Sequence, residues 1–208
     1  MTSAKKNVLI IGCGIAGPVV AMLLERIGMR ATIYEAQSTP MDYAGSFQNM
    51  ASNGLRVLEA LGLGARVTAD EFLCPRMTMW NAHGKQLGRI GNGASEGQGL
   101  VSVMIKRGQL HKILREEALD RGISIEFGKK LKSIEVTARQ EVIATFEDNT
   151  QAHGDMLIGC DGIHSRTREA IDPAAPRPEY QSMVCCGGFT QSSTIPPTPG
   201  TLHLTFGK

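Results

Sequence analysis

The glycine-rich stretch Gly12–Gly17 constrains the fold of this chain more than any other feature of the sequence. It reads Gly-Cys-Gly-Ile-Ala-Gly, a GxGxxG pattern, and it follows the continuous apolar run Asn7–Ile11. Such a run is typical of a strand that is covered on both faces in a parallel sheet. A helical stretch, Ile15–Ile27, comes next and is stopped by Gly28, and Ala31–Glu35 reads as a second strand. Strand, glycine turn, helix and strand within about 30 residues indicate a βαβ unit.

Each glycine of the pattern has a physical role at the start of this helix. Gly12 permits the tight turn out of the strand, Gly14 lets the backbone approach a pyrophosphate, and Gly17 lets the helix pack closely on the strand. The helix N-terminus offers free N–H groups and a partial positive charge to the phosphates. Glu35, 18 residues after Gly17, can accept hydrogen bonds from an adenosine ribose and repels a 2′-phosphate. The pattern therefore predicts a site for FAD or NAD and disfavours NADP.

A second apolar run ends in an Asp-Gly pair. Met156–Cys160 reads as a strand, and Asp161 and Gly162 follow at its carboxyl end, where open α/β sheets bind their ligands. Asp161 can accept hydrogen bonds from hydroxyl groups, and Gly162 allows close approach of the backbone. The same pair serves equally well as a turn and N-cap of a following helix. Arg107 could approach a pyrophosphate, although an arginine at a helix start is more often only solvated.

The remaining pattern predicts a mixture of helices and strands. Apolar spacing, glycines and turn residues place the elements as follows: helix Asn53–Leu63 ended by Gly62 and Gly64, a hairpin of Met77–Trp80 and Gln86–Ile90, a glycine-rich loop Gly91–Gly99, strand Val101–Ile105, helix Gln109–Asp120, strands Ser124–Phe127, Leu131–Val136 and Val142–Phe146, a proline-rich linker Asp172–Pro178, and strands Val184–Phe189 and Thr201–Phe206. The last two strands are expected to belong to a second sheet.

Composition and charge exclude several classes of protein. Hydrophobic residues make up 42% of the chain, and the net charge is +2. So small a charge gives no reason to expect nucleic acid or an anionic membrane as a partner. The five cysteines include no CxxC pair, which disfavours a disulfide scaffold and a structural zinc site. The uncharged run Val8–Leu24 is interrupted by glycines and a proline and would barely span a bilayer, so we expect a cytoplasmic, soluble protein without a transmembrane segment.

Three stretches together resemble the N-terminal motifs of the class A flavoprotein monooxygenases, the para-hydroxybenzoate hydroxylase-like family. A GxGxxG followed by a glutamate such as Glu35 is common to many FAD proteins, whereas Asp155–Arg168, DMLIGCDGIHSRTR, is similar to the far more specific Asp-Gly motif of that family. Lys106–Leu110 followed by Leu114 matches the family's arginine-leucine-leucine pattern. The segment after the first βαβ unit fits as well, through Gly45, Gly54, Leu58, Leu61, Gly62 and Leu63.

The resemblance implies an α/β fold with a Rossmann-like FAD-binding domain of the glutathione-reductase type and the beginning of a mixed β-sheet substrate domain. The FAD-binding domain would take residues 1–70 and 100–178, and the partial substrate domain 71–99 and 179–208. Arg107 would contact the ribityl-pyrophosphate portion, Gly45 and Gln48 would lie near the isoalloxazine, and the Asp-Gly pair would also bind the reductant. The full set of implied cofactor-binding residues is Gly12, Gly14, Ile15, Ala16, Gly17, Glu35, Ala36, Gly45, Gln48, Arg107, Asp161 and Gly162.

The implied activity is NADH- or NADPH-dependent hydroxylation, by molecular oxygen, of a small aromatic or polycyclic substrate. The cofactor carries the difficult chemistry in such enzymes, so no acid-base residue is assigned. The five histidines have no spacing that suggests a metal site or a catalytic triad.

Two departures from the family pattern leave alternatives open. Ala36 stands where arginine is usual, and the family's third motif is absent from the chain. We therefore expect a fragment with open sheet edges, which favour self-association. The alternatives are a non-catalytic or incomplete FAD-binding fragment and another FAD-dependent reductase or halogenase on the same fold. An NAD-dependent dehydrogenase is disfavoured by the Asp-Gly motif.

Overall fold

The computed structural model describes residues 5–43, 45–69, 72–93, 99–182, 184, 187–188, 194 and 198–207. In these parts of the chain no helix has the length and apolar character that a membrane crossing requires. The elements follow in this order: β1 (Asn7–Ile11), α1 (Ala16–Arg26), β2 (Arg30–Tyr34), β3 (Phe47–Met50), α2 (Ser52–Ala60), α3 (Gly64–Thr68), β4 (Phe72–Leu73), β5 (Arg76–Asn81), β6 (Gln86–Gly91), β7 (Val103–Lys106), α4 (Arg107–Asp120), β8 (Ser124–Glu126), β9 (Leu131–Val136), β10 (Val142–Phe146), β11 (Gln151–Gly154), β12 (Met156–Gly159), α5 (Arg166–Ile171) and β13 (Thr201–Phe206). The α/β fold class is confirmed.

Two compact units divide the chain. The first comprises Met1–Asp42 and His111–Cys185, and the second comprises Tyr43–Leu110 and Cys186–Lys208. In the first unit four parallel strands form a sheet in the order β12-β1-β2-β8. Ile11 of β1 pairs with Gly159 of β12 and with Tyr34 of β2, so the carboxyl ends of these three strands lie side by side. An open parallel sheet binds ligands at this end. The assignment of an FAD-binding and a substrate domain to particular residues stays a prediction.

Strand β1 is buried on both faces, as its apolar sequence predicts. On one face Leu9 and Ile11 pack against the antiparallel sheet β11-β10-β9, where the rings of Tyr34 and Phe146 stack with centroids 4.8 Å apart. On the other face Ile10 lies beneath α1, since a Cβ atom placed on Gly17 would come within 3.6 Å of its Cγ2. The βαβ unit is thereby confirmed, with a core between its sheet and the β9–β11 layer.

The described residues of the second unit form two three-stranded sheets. One is antiparallel with the order β3-β7-β4, and the other has the order β13-β5-β6. Strands β5 and β6 pair antiparallel, which confirms the predicted hairpin. Strand β13 joins β5 in parallel, so this sheet is mixed.

One predicted helix is wrong in its C-terminal part. Helix α2 ends at Ala60, and Gly62, with a φ of +80°, closes the turn by donating its N–H to the carbonyl of Glu59. Gly64 was expected to end the same helix but instead begins α3. The side chain of Val67 is buried, and this burial stabilises the five-residue helix α3 after the turn.

Other differences concern short elements whose pairing is long-range. Strand β7 begins at Val103 and not at Val101, which forms only an isolated bridge with Gly93. Strands β3, β4 and β11 and helix α3 were not predicted. Half of the predicted strand Val184–Phe189, at positions 185, 186 and 189, and residues 94–98 of the predicted loop Gly91–Gly99 lie outside the described residues.

Candidate functional site

A cavity of about 860 Å³ lies in the first unit at the carboxyl ends of β1, β2 and β12. Ligand pockets of small-molecule enzymes have volumes of about 300–1,000 Å³. Six residues that the sequence singled out are brought together on its walls: Gly12, Gly14, Glu35, Ala36, Asp161 and Gly162. The remaining lining residues are Ile11, Tyr34, Lys129, Lys130, Leu131, Cys160, His164, Arg166, Arg168, Glu169, Arg177 and Pro178.

The three glycines of the GxGxxG loop differ in what a side chain would meet. A Cβ atom on Gly12 would lie 2.4 Å from the carbonyl oxygen of Cys160, and one on Gly17 would lie 2.0 Å from the carbonyl oxygen of Gly12. Both glycines are therefore required by the packing of the chain on itself. A Cβ atom on Gly14 would meet nothing within 4 Å, although Gly14 lines the cavity. Its missing side chain leaves space for a ligand.

Helix α1 begins directly behind this loop. Its N-cap is Ile15, which makes no side-chain capping hydrogen bond, and Ala16 is its first residue. The first N–H groups of a helix have no partner within the helix, so here they are available to an anion. No acidic residue lies in the first turn to compete with one.

Glu35 follows β2 and bonds to two backbone N–H groups. Its Oε2 accepts from Cys13 at 2.7 Å, and its Oε1 accepts from Gln37 at 2.8 Å. A carboxylate offers about four acceptor directions, so about two remain for the hydroxyl groups of a ligand. Ala36 lines the cavity next to it and, being alanine, adds no charge there.

Asp161 follows β12 and bonds to its own turn. Oδ1 accepts from the hydroxyl of Ser165 at 2.6 Å, and Oδ2 accepts from the N–H and the hydroxyl of Thr167 at 3.0 and 3.1 Å. The N-cap of α5 is Ser165, so Asp161 is part of the turn but is not itself the cap. Gly162 has a φ of +74°, and a Cβ atom placed on it would meet nothing within 4 Å. Its backbone lines the cavity.

Basic residues outnumber acidic ones on the cavity wall, and most of them are paired. Lys129 binds Asp148 at 2.7 Å, Lys130 binds Glu147 at 2.9 Å, and Arg166 binds Glu169 at 3.0 Å. The hydrogen bond from Lys129 is the main cause that lowers the pKa of Asp148 to about 2. Arg168 donates one Nη2 hydrogen bond to the carbonyl of Ile163 at 3.1 Å, while its buried Nε has no partner among the described residues. The charges of Lys129, Lys130 and Arg166 are thus largely balanced, and Arg168 keeps donor capacity for an anionic ligand.

Two thiols beside the cavity are held in the protonated form. Burial, followed by the charge of Glu35, raises the pKa of Cys13 to about 12. Burial, followed by the charge of Asp161, also raises the pKa of Cys160. Since the thiolate is the reactive species, the raised pKa disfavours nucleophilic reactivity of both cysteines at neutral pH.

The other three predicted site residues lie together in the second unit. Gly45, with a φ of +82°, is so close to Arg107 that a Cβ atom there would lie 3.1 Å from the arginine Cδ. The N–H of Arg107 donates to the carbonyl of Ser46 at 3.1 Å. Gln48 lies on β3 opposite Ile105 of β7. Arg107 is the first residue of α4. Its contacts with Gly45 and Ser46 hold it against the loop that precedes β3.

Sequence reasoning missed several residues of the cavity. Lys129, Lys130 and Leu131 follow the short strand β8, and their position at the carboxyl end of a parallel strand is the signal that could have found them. The hydrogen-bond partners of Asp161 were also missed, because Ser165 and Thr167 come within bonding distance of its carboxylate only when the turn has folded. Among the described residues, no cluster of histidine, cysteine or carboxylate side chains could hold a metal ion.

The cavity fits the diphosphate and adenosine portion of FAD by the groups that it offers. It has open space over Gly14, free N–H groups at α1, cations on its wall and acceptor capacity on Glu35. These are the features that bind a dinucleotide at a βαβ unit.

Comparison with known proteins agrees with this geometry. The family model described as "FAD binding domain" matches residues 5–187. A 3-amino-4-hydroxybenzoate 2-monooxygenase from Streptomyces cremeus is 30% identical over 200 residues, which cover 91% of this chain and 48% of that protein. A kynurenine 3-monooxygenase from Stenotrophomonas maltophilia is 32% identical over 181 residues, which cover 83% of this chain and 39% of that protein. The chain spans about half the length of the curated relatives it matches.

A solved structure shares the fold. The crystal structure of CtdE in complex with FAD and a substrate aligns with a TM-score of 0.73 at 23% sequence identity, covering 85% of this chain and 42% of that one. At this identity the likeness concerns the fold.

Proposed function

The chain belongs to the FAD binding domain family, in the branch of the class A flavoprotein monooxygenases, and from this premise we propose that it acts in the NADH- or NADPH-dependent hydroxylation of a small aromatic compound. The observation that carries the proposal is the cavity at the carboxyl ends of β1, β2 and β12. There the GxGxxG loop, Glu35 and the Asp161-Gly162 turn meet around one space.

Different groups on the cavity wall bind different portions of the cofactor. The N–H groups at the start of α1 and the backbone of Gly14 bind the pyrophosphate. The remaining acceptor directions of Glu35 bind the hydroxyl groups of the adenosine ribose. The Gly162 turn lines the same cavity. The roles that the family resemblance implies for Arg107, Gly45 and Gln48, all of which lie in the second unit, stay predictions.

Bound FAD supplies the oxidation-reduction chemistry between the nicotinamide donor, molecular oxygen and the substrate. The protein's own contribution is to bind and orient these partners and to exclude water from the reacting groups.

The substrate class rests on the relatives. The two relatives named above act on an aminohydroxybenzoate and on kynurenine, both of which carry an aromatic ring. We therefore propose a small aromatic substrate for this chain as well, and both compounds are suitable probes.

The test combines an oxygen-electrode assay with product analysis. Purified protein with FAD is supplied with NADH or NADPH and with each probe under isotopically labelled oxygen. The proposal expects substrate-stimulated oxidation of the nicotinamide and one labelled oxygen atom in the product. A Gly14→Val variant, whose side chain would fill the phosphate space, serves as the inactive control. Retention of FAD without turnover on any aromatic probe would instead favour a flavin-binding role without hydroxylation.

We further propose that the chain self-associates through the sheet β13-β5-β6. The register places Met77 opposite both Leu202 and Ile90, and Met79 opposite Leu204. Because paired residues share a face and neighbours along a strand alternate, one face carries mostly apolar side chains, with the polar Asn81 opposite Phe206 at its end. Its members are Met77, Met79, Ile90, Leu202, Leu204 and Phe206, which we call the apolar sheet face. About half the surface of Ile90 and of Phe206 is exposed, and β6 and β13 are the outer strands.

A further inference from the structure

The carboxylate of Asp161 is occupied by donors from its own turn. Three hydrogen bonds of 2.6–3.1 Å reach it, one from Ser165 and two from Thr167. Ser165 and Thr167 are 8% and 3% exposed, so these bonds are shielded from water. A carboxylate has about four acceptor directions, which leaves Asp161 little capacity for a ligand. Glu35 differs, since backbone groups use only two of its directions.

Thr167 also contacts the strand that precedes the turn. A Cβ atom placed on Gly159 of β12 would lie 2.6 Å from Cβ and 2.8 Å from Cγ2 of Thr167. The side chain therefore packs directly on the backbone of the strand while its hydroxyl donates to Asp161. Helix α5 is fixed to β12 at this point.

The same contact continues to the glycine loop. Gly159 pairs with Ile11, and the next residue, Cys160, has its carbonyl oxygen where a side chain of Gly12 would be. The backbones of the two loops are thus in direct contact with each other. A shift of α5 and the Asp161 turn would change the part of the cavity wall that Gly162 forms.

Ser165 closes the turn from the other side. Its hydroxyl oxygen accepts the N–H of Arg168 at 2.9 Å, and its hydroxyl group donates to Asp161. Arg168 in turn donates to the carbonyl of Ile163 at 3.1 Å. The segment 161–168 is consequently a closed network, and Gly162 is its exposed, left-handed corner.

We propose that Thr167, together with Ser165, is a positioning residue of the FAD site, and that Asp161 acts through this network to hold the Gly162 wall in place, not as a direct ligand of the cofactor. The inference rests on the proposed FAD binding at this cavity. Thr167 sets the distance between the Gly162 wall and the glycine loop, because its methyl side rests on β12 and its hydroxyl holds the turn.

The test is a mutant cycle read by FAD titration of the folded protein. Thr167→Val keeps the shape and removes the hydroxyl, and Thr167→Ser keeps the hydroxyl. We expect Thr167→Val to weaken FAD binding about tenfold and Thr167→Ser to retain most of the affinity, since a hydrogen bond to a carboxylate is involved. Thr137→Val is the matched control, because its hydroxyl oxygen accepts the N–H of Glu141 in the same unit away from the cavity. It should leave FAD binding unchanged.

The cycle separates positioning from direct binding. In the wild-type background Asp161→Asn should weaken FAD binding about tenfold, but in the Ser165→Ala/Thr167→Val background it should add less than about threefold, because coupled residues are not additive. If Asp161→Asn costs the same factor in both backgrounds, or if Thr167→Val leaves the FAD affinity at the wild-type value, the inference is overturned and Asp161 is a direct ligand.

A second measurement does not depend on FAD. If the wild-type chain bound no FAD, the proposed function would be refuted, but the positioning role of Thr167 could still be tested. Hydrogen exchange of the cofactor-free protein should become faster in segment 161–168 of Thr167→Val and stay unchanged in β10. Unchanged exchange in segment 161–168 would overturn the positioning role by itself.

Discussion

The backbone N–H of Cys13 donates to Oε2 of Glu35 at 2.7 Å, which joins the glycine loop to the end of β2. The second oxygen of Glu35 holds the N–H of Gln37 at 2.8 Å. Glu35 therefore has two functions in this account: it fixes the shape of the loop, and it keeps acceptor directions for the ribose of FAD. These functions can be separated by measuring stability and affinity on the same variants.

Replacement of Glu35 by glutamine should affect both quantities. A carboxamide has one oxygen, so its NH₂ group must face one of the two backbone N–H donors. We expect Glu35→Gln to lower the free energy of unfolding by about 1–2 kcal/mol and to weaken FAD binding by about tenfold or more. Urea unfolding without FAD and a fluorescence titration with FAD measure the two effects. Glu25→Gln, at an exposed position of α1, is the control and should change neither; equal behaviour of the two variants would refute the role of Glu35.

Gly17 and Gly14 should respond oppositely to the same substitution. A side chain on Gly17 would collide with the carbonyl oxygen of Gly12, whereas one on Gly14 would enter open space. We expect Gly17→Ala to destabilise the fold by about 3 kcal/mol, as overpacking does, and Gly14→Ala to leave stability unchanged while weakening FAD binding. Thermal unfolding and FAD titration of both variants provide the comparison. A destabilised Gly14→Ala with normal affinity would show that the space over Gly14 is not used by the ligand.

The ion pair between Arg115 and Asp42 should contribute to the stability of the first unit. Both guanidinium nitrogens donate to the carboxylate, and the side chains are 12% and 23% exposed. We expect Asp42→Asn to lower the free energy of unfolding at neutral pH by about 1–2 kcal/mol, more than a typical surface pair contributes. Glu147→Gln, which removes the exposed pair with Lys130, is the control and should have little effect.

The loss in Asp42→Asn should depend on pH. The hydrogen bond from Arg115 is the largest cause that lowers the pKa of Asp42 below its usual value of 3.8. Since the folded pKa is the lower one, the unfolded state binds more protons in acid, and the contribution of the pair is complete above pH 3.8 and lost as the pH falls through the folded pKa. Urea unfolding at neutral pH and at about pH 3 should therefore give a smaller difference between wild type and variant in acid. A constant difference would refute the assignment.

Self-association through the apolar sheet face should be sensitive to charge. Ile90 on the outer strand β6 is 52% exposed, so a lysine there would keep its charge in water in the monomer but not in a dimer. We expect Ile90→Lys to shift sedimentation toward the monomer without loss of thermal stability. Arg89→Lys lies on the opposite face of the same strand and should sediment as the wild type does. Wild-type protein that sediments as a monomer at high concentration would contradict the proposal.

Local patterns in the sequence predict the parts of the fold that depend on neighbours along the chain. The apolar run of β1, the glycines behind it and the hairpin β5–β6 are confirmed because burial on both faces, close helix packing and a short turn are each visible within a few residues. The Asp161 turn was predicted in the same way, because Asp161 and Gly162 directly follow an apolar run in the sequence.

Features that depend on distant residues could not be predicted. Helix α3 forms because Val67 finds a buried position, and a sequence that reads as a helix end gives no sign of it. Thr167 contacts Gly159 and Asp161 only once α5 has folded back on β12. Similarly, the continuous run of β12 predicts a strand covered on both faces, yet β12 lies at the edge of its described sheet and Met156 is 46% exposed.

FAD binding in the cavity of the first unit is tested most simply by an absorbance spectrum of the purified chain after incubation with FAD and removal of free flavin by gel filtration. We expect flavin absorbance bands that elute with the protein, and their loss in Gly14→Val. The thermal unfolding of this variant should stay close to that of the wild type because the space over Gly14 is open. A colourless wild-type protein, or a Gly14→Val variant that retains as much FAD as the wild type, would contradict the placement of the cofactor in the cavity of the first unit.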